Sequence, residues 1–378
     1  MAVAPSHNGA SVESIASHLD EHIPVALPQA GIAGASIALI RDGELAWAGA
    51  YGVADASSGR PLTTDTVFEV ASITKPLFTY GVLKLRNAGV LDLDKPLNDY
   101  LHEPYLDDPR IRKVTARHVL SHQGGFPNWQ RQRDDGELKM YFEPGERYAY
   151  SGEGFQYLKM VIEQLTGRSA LDVMTELTLE PFGMSSSDLV WPSRRGDPPL
   201  ALGHEKDGAP REKRDSPDMN AAASLHGNPS DVARFMTWMM RGDDHPDALP
   251  TGSIEEMITP NVPVNNSQSW HTVWPRPDAE FSDTVSWGLG WALEHPPRNG
   301  QGPGANGPSP WFWHWGDNTV YFNFAIGSRE SRSGVVVMTN SAFGYQLWGD
   351  VVKITLGGDH PSLDWVADVY SSRHRRPL

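Results

Sequence analysis

The sequence contains no cysteine, and this absence removes several kinds of chemistry at once. Disulfide bonds, thiolate nucleophiles and cysteine-ligated metal sites are excluded, although the redox compartment stays open. No apolar run approaches the ~18 residues that a membrane-spanning helix needs. Residues 1–22 show no basic cluster followed by an apolar stretch, so no secretory signal is predicted. We therefore expect a cytoplasmic protein without a membrane partner.

Positive charge is also scarce, because 32 Lys and Arg residues face 47 Asp and Glu residues, giving a net charge of −15. This balance is the opposite of a phosphate-binding surface, so no nucleic-acid partner is predicted. The short basic end with Arg373, Arg375 and Arg376 is interpreted as a solvated tail.

Several common functional motifs are missing or lack their structural context. There is no G-x-S-x-G, which argues against an α/β-hydrolase, and no G-K-[ST] phosphate loop. The stretch 302–307 fits G-x-G-x-x-G but lies in a Pro/Gly-rich loop with no helix after it. His204-Glu205 lacks the second histidine of a zinc-binding helix. No metal and no cofactor are therefore predicted.

What is present predicts a folded protein of two packed lobes. The 378 residues exceed the ~100 to 200 of a single domain, and 39% of them are hydrophobic. Two strand patterns flank an Asp42-Gly43 turn within 35–53, which predicts an antiparallel hairpin. Strand patterns return only at 311–316, 320–326 and 335–339.

Helical spacing occupies the middle of the chain and its end: 74–88, 116–121, 154–166, 170–176, 230–240 and a closing helix at 343–354. The predicted fold class is α/β plus all-α, with an antiparallel sheet flanked by helices, assembled from both chain ends, and an inserted helical lobe. Residues 1–75 and 280–378 would form the α/β domain and 76–279 the helical domain, with the active site in the cleft between them. Residues 194–217 and 296–310 are predicted to be long surface loops.

The first candidate for catalysis is Ser72-Ile73-Thr74-Lys75, the sole S-x-x-K in the chain. This spacing puts both side chains on one face of a helix, with the serine at its positive N-terminal end. It lies where the extended run 67–70 turns into a helix, a junction suited to presenting a nucleophile. The alternative is an ordinary N-cap serine followed by a solvated lysine.

Two further candidates follow along the chain. Tyr150, in Tyr150-Ser151-Gly152, is placed to relay a proton, or else it is a half-buried aromatic at a loop end. His314-Trp315-Gly316 lies on a predicted strand, and its glycine would let a substrate approach the backbone. His122-Gln123-Gly124 also fits H-x-G but closes a short helix, so His122 is interpreted as a structural contact.

The order and spacing of these motifs resemble the β-lactamase-like serine hydrolases, a family of class C β-lactamases, DD-peptidases, D-amino-acid peptidases and related esterases. The resemblance extends over roughly residues 30 to 356 through further segments: 111–125, 144–167, 181–184, 231–235 and 287–291. It implies a β-lactamase/transpeptidase-like fold and a covalent acyl-enzyme.

The resemblance also implies a role for each motif residue. Ser72 would be the nucleophile, Lys75 its general base and Tyr150 the proton relay to the leaving group. His314 stands where many relatives have the lysine of K-T-G. The backbone N–H groups of Ser72 and Asp317 would form the oxyanion hole.

Two departures bear on the substrate. Gly152 replaces an asparagine that orients a substrate amide, and His314 replaces a lysine that meets a substrate carboxylate, so β-lactams are disfavoured. We expect a small ester or amide with an apolar acyl part, bound near Gly152, Trp315 and Gly316. Trp311, Trp313 and Trp315 either wall this pocket or pack in the core. A D-amino-acid peptidase, an acyltransferase and a non-catalytic binder remain as alternatives.

Overall fold

The computed structural model describes residues 9–129, 137–242, 245, 247–265, 281–297 and 310–373, with side chains through residue 370. The stretch 302–307, most of the loop at 296–310 and the side chains of the basic tail lie outside the described residues. The chain divides into two compact units. Unit 1 comprises Met1–Thr74, Thr175–Ala248 and Trp313–Asp359, and unit 2 comprises Lys75–Met174, Leu249–Phe312 and His360–Leu378. The domains predicted from the sequence have different bounds from these two units. That division, and the active-site cleft predicted between the domains, stay predictions.

The α-helices of the described residues are α1 (Val12–Ala30), α2 (Thr74–Asn87), α3 (Ala116–Leu120), α4 (Glu153–Thr166), α5 (Ala170–Met174), α6 (Pro229–Arg241), α7 (Thr251–Met257), α8 (Trp348–Thr355) and α9 (Pro361–Arg373). The strands are β1 (Gly34–Arg41), β2 (Glu44–Asp55), β3 (Arg60–Pro61), β4 (Phe68–Glu69), β5 (Gly203–His204), β6 (Pro210–Arg211), β7 (His226–Gly227), β8 (Val262–Asn265), β9 (Phe281–Trp287), β10 (Ala292–Glu294), β11 (Trp311–Asp317), β12 (Phe322–Ser328) and β13 (Ser333–Thr339).

The sheet of unit 1 confirms the prediction that strands from both chain ends meet. Its order is β3-β2-β1-β13-β12-β11, and β1 pairs antiparallel with both β2 and β13. Ala35 is opposite Tyr51 on one side and Thr339 on the other. The hairpin turn has positive φ at Asp42 (52°) and Gly43 (75°), the conformation that a tight two-residue hairpin requires. Strands β12 and β13 are buried along their whole length, as expected for the centre of a core.

Three helices of unit 1 pack on this sheet, and the sequence analysis missed one of them. Helix α6 packs on β1 and β13, and α8 packs on β13. Helix α1, which the sequence analysis does not include, contains Pro24 and Pro28. A stripe at helical spacing nevertheless buries Ile15, Leu19, Ile23 and Leu27, and α1 packs on β2.

Unit 2 carries the helices α2 to α5, α7 and α9, together with the antiparallel strands β8, β9 and β10. The predicted helices at 116–121 and 154–166 are confirmed as α3 and α4. The segment 343–354 is not the closing helix, because α9 follows it. None of the helices in the described part of the chain has the length and apolar character that a membrane crossing requires.

The loop predicted at 194–217 is irregular, but it is not wholly a surface loop. Ala201 is fully buried and His204 is 1% exposed. The Nδ1–H of His204 donates to the Asn340 carbonyl at 2.9 Å, and its Nε2 accepts from the Ala56 N–H at 3.0 Å. These two hydrogen bonds hold the loop against the sheet and give His204 a structural role.

Candidate active site

Ser72 is presented by a strained backbone at the junction of a strand and a helix. Strand β4 pairs with β7, a 3₁₀ turn covers Ala71–Ile73, and α2 begins at Thr74. Ala71 has φ +56°, a left-handed conformation that costs a non-glycine residue about 1 kcal/mol or more. Such strain persists only where the surrounding structure enforces it. Ser72 itself is half-buried.

The surrounding contacts that enforce this conformation centre on Glu69. The Glu69 carboxylate contacts Lys213 Nζ at 3.0 Å and accepts from Asn318 Nδ2 at 2.6 Å. Its carbonyl accepts from Asn323 Nδ2 at 2.8 Å. Strand β12 and the two side chains from distant loops therefore fix the residue three positions before Ser72. Sequence analysis missed all three partners, since no local pattern marks them.

A second set of contacts fixes the start of α2. The Thr74 hydroxyl donates to the Ala71 carbonyl at 2.6 Å and accepts from the Leu225 N–H at 3.0 Å. The Val70 N–H in turn donates to the Leu225 carbonyl at 2.8 Å. Ser72 is thus held from both sides by hydrogen bonds within unit 1.

Lys75 is fully buried, so the alternative in which it is a solvated first-turn lysine is wrong. Burial lowers the pKa of the Lys75 ammonium well below its ordinary value, because an apolar environment disfavours the charged form. Its Nζ lies 4.5 Å from the ring centroid of Tyr150 and 5.7 Å from that of Phe155. A lowered pKa favours the neutral amine, which is the form that accepts a proton.

Tyr150 is buried in an aromatic cluster of unit 2 that includes His122. The two ring centroids are 4.3 Å apart, and Trp287 lies 5.7 Å from Tyr150 on another side. His122 Nδ1 accepts from the Ser151 N–H at 3.0 Å, so the neutral imidazole carries its proton on Nε2. His122, interpreted from the sequence as a structural contact, is therefore a positioning residue for Tyr150 and for the backbone beside it.

His314 is fully buried, and its Nδ1–H donates to the Trp315 carbonyl at 2.6 Å. The Trp315 ring is 2% exposed and is stacked between Trp313, at 5.9 Å, and His314, at 5.4 Å. This arrangement favours core packing over a pocket wall for Trp313 and Trp315. The Trp315 ring also supports His314, and its contact with a substrate stays a prediction.

Gly316 is required by a backbone neighbour. A Cβ at this position would overlap the Val70 carbonyl oxygen and would lie 3.0 Å from Asn323 Nδ2. The end of β11 is thereby packed against the segment that carries Ser72, two residues after Val70. Within unit 1 the structure places the end of the His314 motif against the segment that carries Ser72. In unit 2 it places Lys75 against Tyr150, and Gly152 follows Tyr150 by two residues.

Gly316→Ala should therefore displace the nucleophile. We expect kcat to fall about 10²-fold, because a shift near 1 Å in a catalytic group costs about that much, and the melting temperature to fall as well. Gly349→Ala is the matched control, since nothing lies within 4 Å of a Cβ at that position in α8. Steady-state kinetics and thermal unfolding of both variants check the expectation. Equal behaviour of the two variants would contradict it.

No group of three or more His, Asp or Glu side chains is arranged to hold a metal ion among the residues that the structure describes. The backbone N–H groups of Ser72 and Asp317 remain the predicted oxyanion hole.

Comparison with known proteins gives consistent findings. A beta-lactamase family model matches residues 12–349. Esterase EstB of Burkholderia gladioli is 32% identical over 205 residues, which are 47% of this chain and 52% of the esterase. A D-aminopeptidase of Brucella anthropi is 31% identical over 176 residues, 42% of this chain and 33% of that enzyme. The chain thus matches about half, or less, of the length of these relatives.

The solved structures extend the likeness to the fold. The D-alanine carboxypeptidase AmpC from Burkholderia cenocepacia superposes with a TM-score of 0.70 at 20% identity, covering 90% of this chain and 100% of that one. At this identity the likeness concerns the fold alone.

Proposed function

This chain belongs to the beta-lactamase family and has its β-lactamase/transpeptidase-like fold, and on that premise we propose that it hydrolyses carboxylic esters through an acyl intermediate on Ser72. The family comprises serine hydrolases, and relatives of this chain include an esterase and a D-aminopeptidase. The finer assignment concerns which residues act and which acyl groups are accepted.

One observation carries the proposal: a fully buried Lys75 follows a half-buried Ser72 by one helical turn and lies against Tyr150. An ordinary lysine with a pKa of ~10.4 would cost about 4.6 kcal/mol to deprotonate at pH 7. Burial lowers that pKa and so reduces the cost. A fully buried amine with a lowered pKa, one helical turn from a candidate nucleophile, is typical of a catalytic base.

In the proposed reaction, the Lys75 amine takes the proton of Ser72 Oγ as this oxygen attacks the ester carbonyl carbon. The oxyanion accepts hydrogen bonds from the N–H groups of Ser72 and Asp317. When the intermediate collapses, the leaving oxygen takes a proton from the Tyr150 hydroxyl, which regains one from the Lys75 ammonium. Water then attacks the acyl carbon, its proton passes back through the same groups to Ser72 Oγ, and the carboxylic acid leaves.

The substrate class follows from what the site offers. Gly152 has no side chain to hydrogen-bond a substrate amide, and His314 carries no permanent charge for a substrate carboxylate. An uncharged ester with an apolar acyl part loses nothing by these two features, whereas a β-lactam loses two contacts.

The wild-type protein should therefore prefer p-nitrophenyl butyrate to nitrocefin by about 10² or more in kcat/KM, because each polar contact is worth ~1 to 3 kcal/mol. The ester rate is measured by release of p-nitrophenolate and the nitrocefin rate by the absorbance change on opening of the β-lactam ring, with Ser72→Ala as the blank. A preference for nitrocefin would contradict the proposal. Faster turnover of D-amino-acid amides would instead support the D-aminopeptidase alternative, which the Brucella relative favours.

A further inference from the structure

The space beside Gly152 is filled by the ring of Trp129. A Cβ at position 152 would lie 2.6 Å from Trp129 Cζ2 and 2.8 Å from Cζ3, which is closer than real Cβ atoms approach. Gly152 has φ −78°, so its backbone conformation admits any residue and only the indole excludes a side chain. Position 152 is two residues from Tyr150 and is therefore at the proposed site.

Hydrogen bonds hold the Trp129 segment along this part of the chain. The Gly152 N–H donates to both the carbonyl and the side-chain oxygen of Asn128, each at 3.0 Å, and the Glu153 N–H donates to the same carbonyl at 2.9 Å. The Ser151 hydroxyl donates to the Pro127 carbonyl at 2.8 Å. Asn128 is 3% exposed, so these bonds are shielded from water. The indole is accordingly placed by a rigid backbone.

Trp129 is half-buried, and its indole lies against Gly152. An aromatic face gains free energy from apolar contact, about 0.8 kcal/mol for each CH₂ group that it removes from water. A short alkyl chain placed there would be favoured over a polar group.

We propose that the Trp129 indole forms the wall of the substrate site beside Gly152 and selects esters whose acyl chain is apolar and longer than acetyl. The proposal rests on the proposed function and adds to it the residue that sets acyl selectivity.

The chain offers a matched control in unit 1. Trp47 is half-buried on β2, and a Cβ on Gly49 would lie 2.5 Å from Trp47 Cζ2. This tryptophan thus covers a glycine in the same way, but it is on a strand that carries none of the proposed site residues. Trp47→Ala removes the same side chain from an equivalent contact.

The first experiment compares kcat/KM for p-nitrophenyl butyrate and acetate. Trp129→Ala should lower the butyrate-to-acetate ratio about five- to tenfold, since two partly buried CH₂ groups lose their contact. Trp129→Phe should retain most of the ratio, and Trp47→Ala all of it. If Trp129→Ala remains folded with an unchanged ratio, the proposal is overturned.

A second experiment separates this proposal from the proposed function. In a Ser72→Ala background, where no acyl-enzyme forms, equilibrium dialysis gives the Kd of p-nitrophenyl butyrate with and without Trp129→Ala. We expect Trp129→Ala to weaken binding about five- to tenfold. Equal Kd values would overturn the role of Trp129 even if wild-type protein hydrolyses esters. Conversely, a lack of hydrolysis with a Trp129-dependent Kd would overturn only the proposed reaction.

Thermal unfolding tests the geometry itself. Gly152→Asn should lower the melting temperature, because its side chain meets the indole, and Trp129→Ala should relieve that loss in the double variant. A Gly152→Asn variant as stable as the wild type would show that the ring does not occupy this space.

Discussion

Ser72→Ala is expected to lower the turnover of every ester substrate about 10⁶-fold, the loss found when a covalent nucleophile is removed from a serine hydrolase. Without Oγ no acyl intermediate forms, and what remains is the stabilisation provided by binding and the oxyanion hole. The fold should survive, because Ser72 is half-buried and its segment is held by contacts of Glu69 and Thr74. The free energy of unfolding should change by no more than about 0.5 kcal/mol, so the melting temperature should change little.

Ser57→Ala is the control for this variant. Ser57 is exposed in the turn after β2, where its hydroxyl bonds Asp55 at 2.6 Å, and its loss should leave turnover unchanged. Initial rates with p-nitrophenyl butyrate decide the matter. Residual activity of Ser72→Ala above about one per cent of wild type, far more than 10⁻⁶, would assign the chemistry to another residue.

Lys75→Met should reduce turnover about 10⁴-fold or more and at the same time stabilise the protein. The loss of activity follows from removing the group that takes the Ser72 proton. The gain in stability, about 1 to 3 kcal/mol, follows from replacing a fully buried amine by an apolar side chain of similar length. Both the loss of turnover and the gain in stability would follow if Lys75 acts in catalysis and its burial destabilises the fold.

The stability gain of Lys75→Met should depend on pH. Burial lowers the pKa of Lys75 in the folded protein, so between this value and the unfolded value of ~10.4 the unfolded chain binds the proton and the folded chain does not. Wild-type stability therefore rises with pH across that window, whereas that of Lys75→Met does not. The advantage of the variant should therefore shrink as the pH rises towards ~10.4.

Thermal unfolding from neutral to alkaline pH measures this difference. Lys84→Met is the control, because Lys84 lies on the same helix but is half-buried. A Lys75→Met variant that is less stable than wild type at neutral pH would mean that Lys75 is a structural residue.

Local patterns in the sequence predicted the parts of the site that local structure determines. The S-x-x-K spacing and the extended run before it predict a serine at a strand-to-helix junction, and the structure has β4, a short turn and α2 there. The alternation of β1 and β2 around Asp42-Gly43 likewise predicts the hairpin. These features need only neighbouring residues.

The remainder depends on residues far apart in the chain. Lys75 lies against the distant rings of Tyr150 and Phe155, and Glu69 contacts Lys213, 144 residues later by sequence number. The sequence also does not predict that the Trp129 indole fills the space beside Gly152, because a glycine indicates only that a side chain is missing.

The most direct test of the account is to expose the protein to a fluorophosphonate probe and to locate the adduct by mass spectrometry. We expect one adduct, on the peptide that contains Ser72, and its loss in Ser72→Ala. We also expect much slower labelling in Lys75→Met, because the amine that activates Oγ is gone. An adduct on any other serine, or no adduct on a protein that hydrolyses esters, would contradict the claim that Ser72 is the nucleophile.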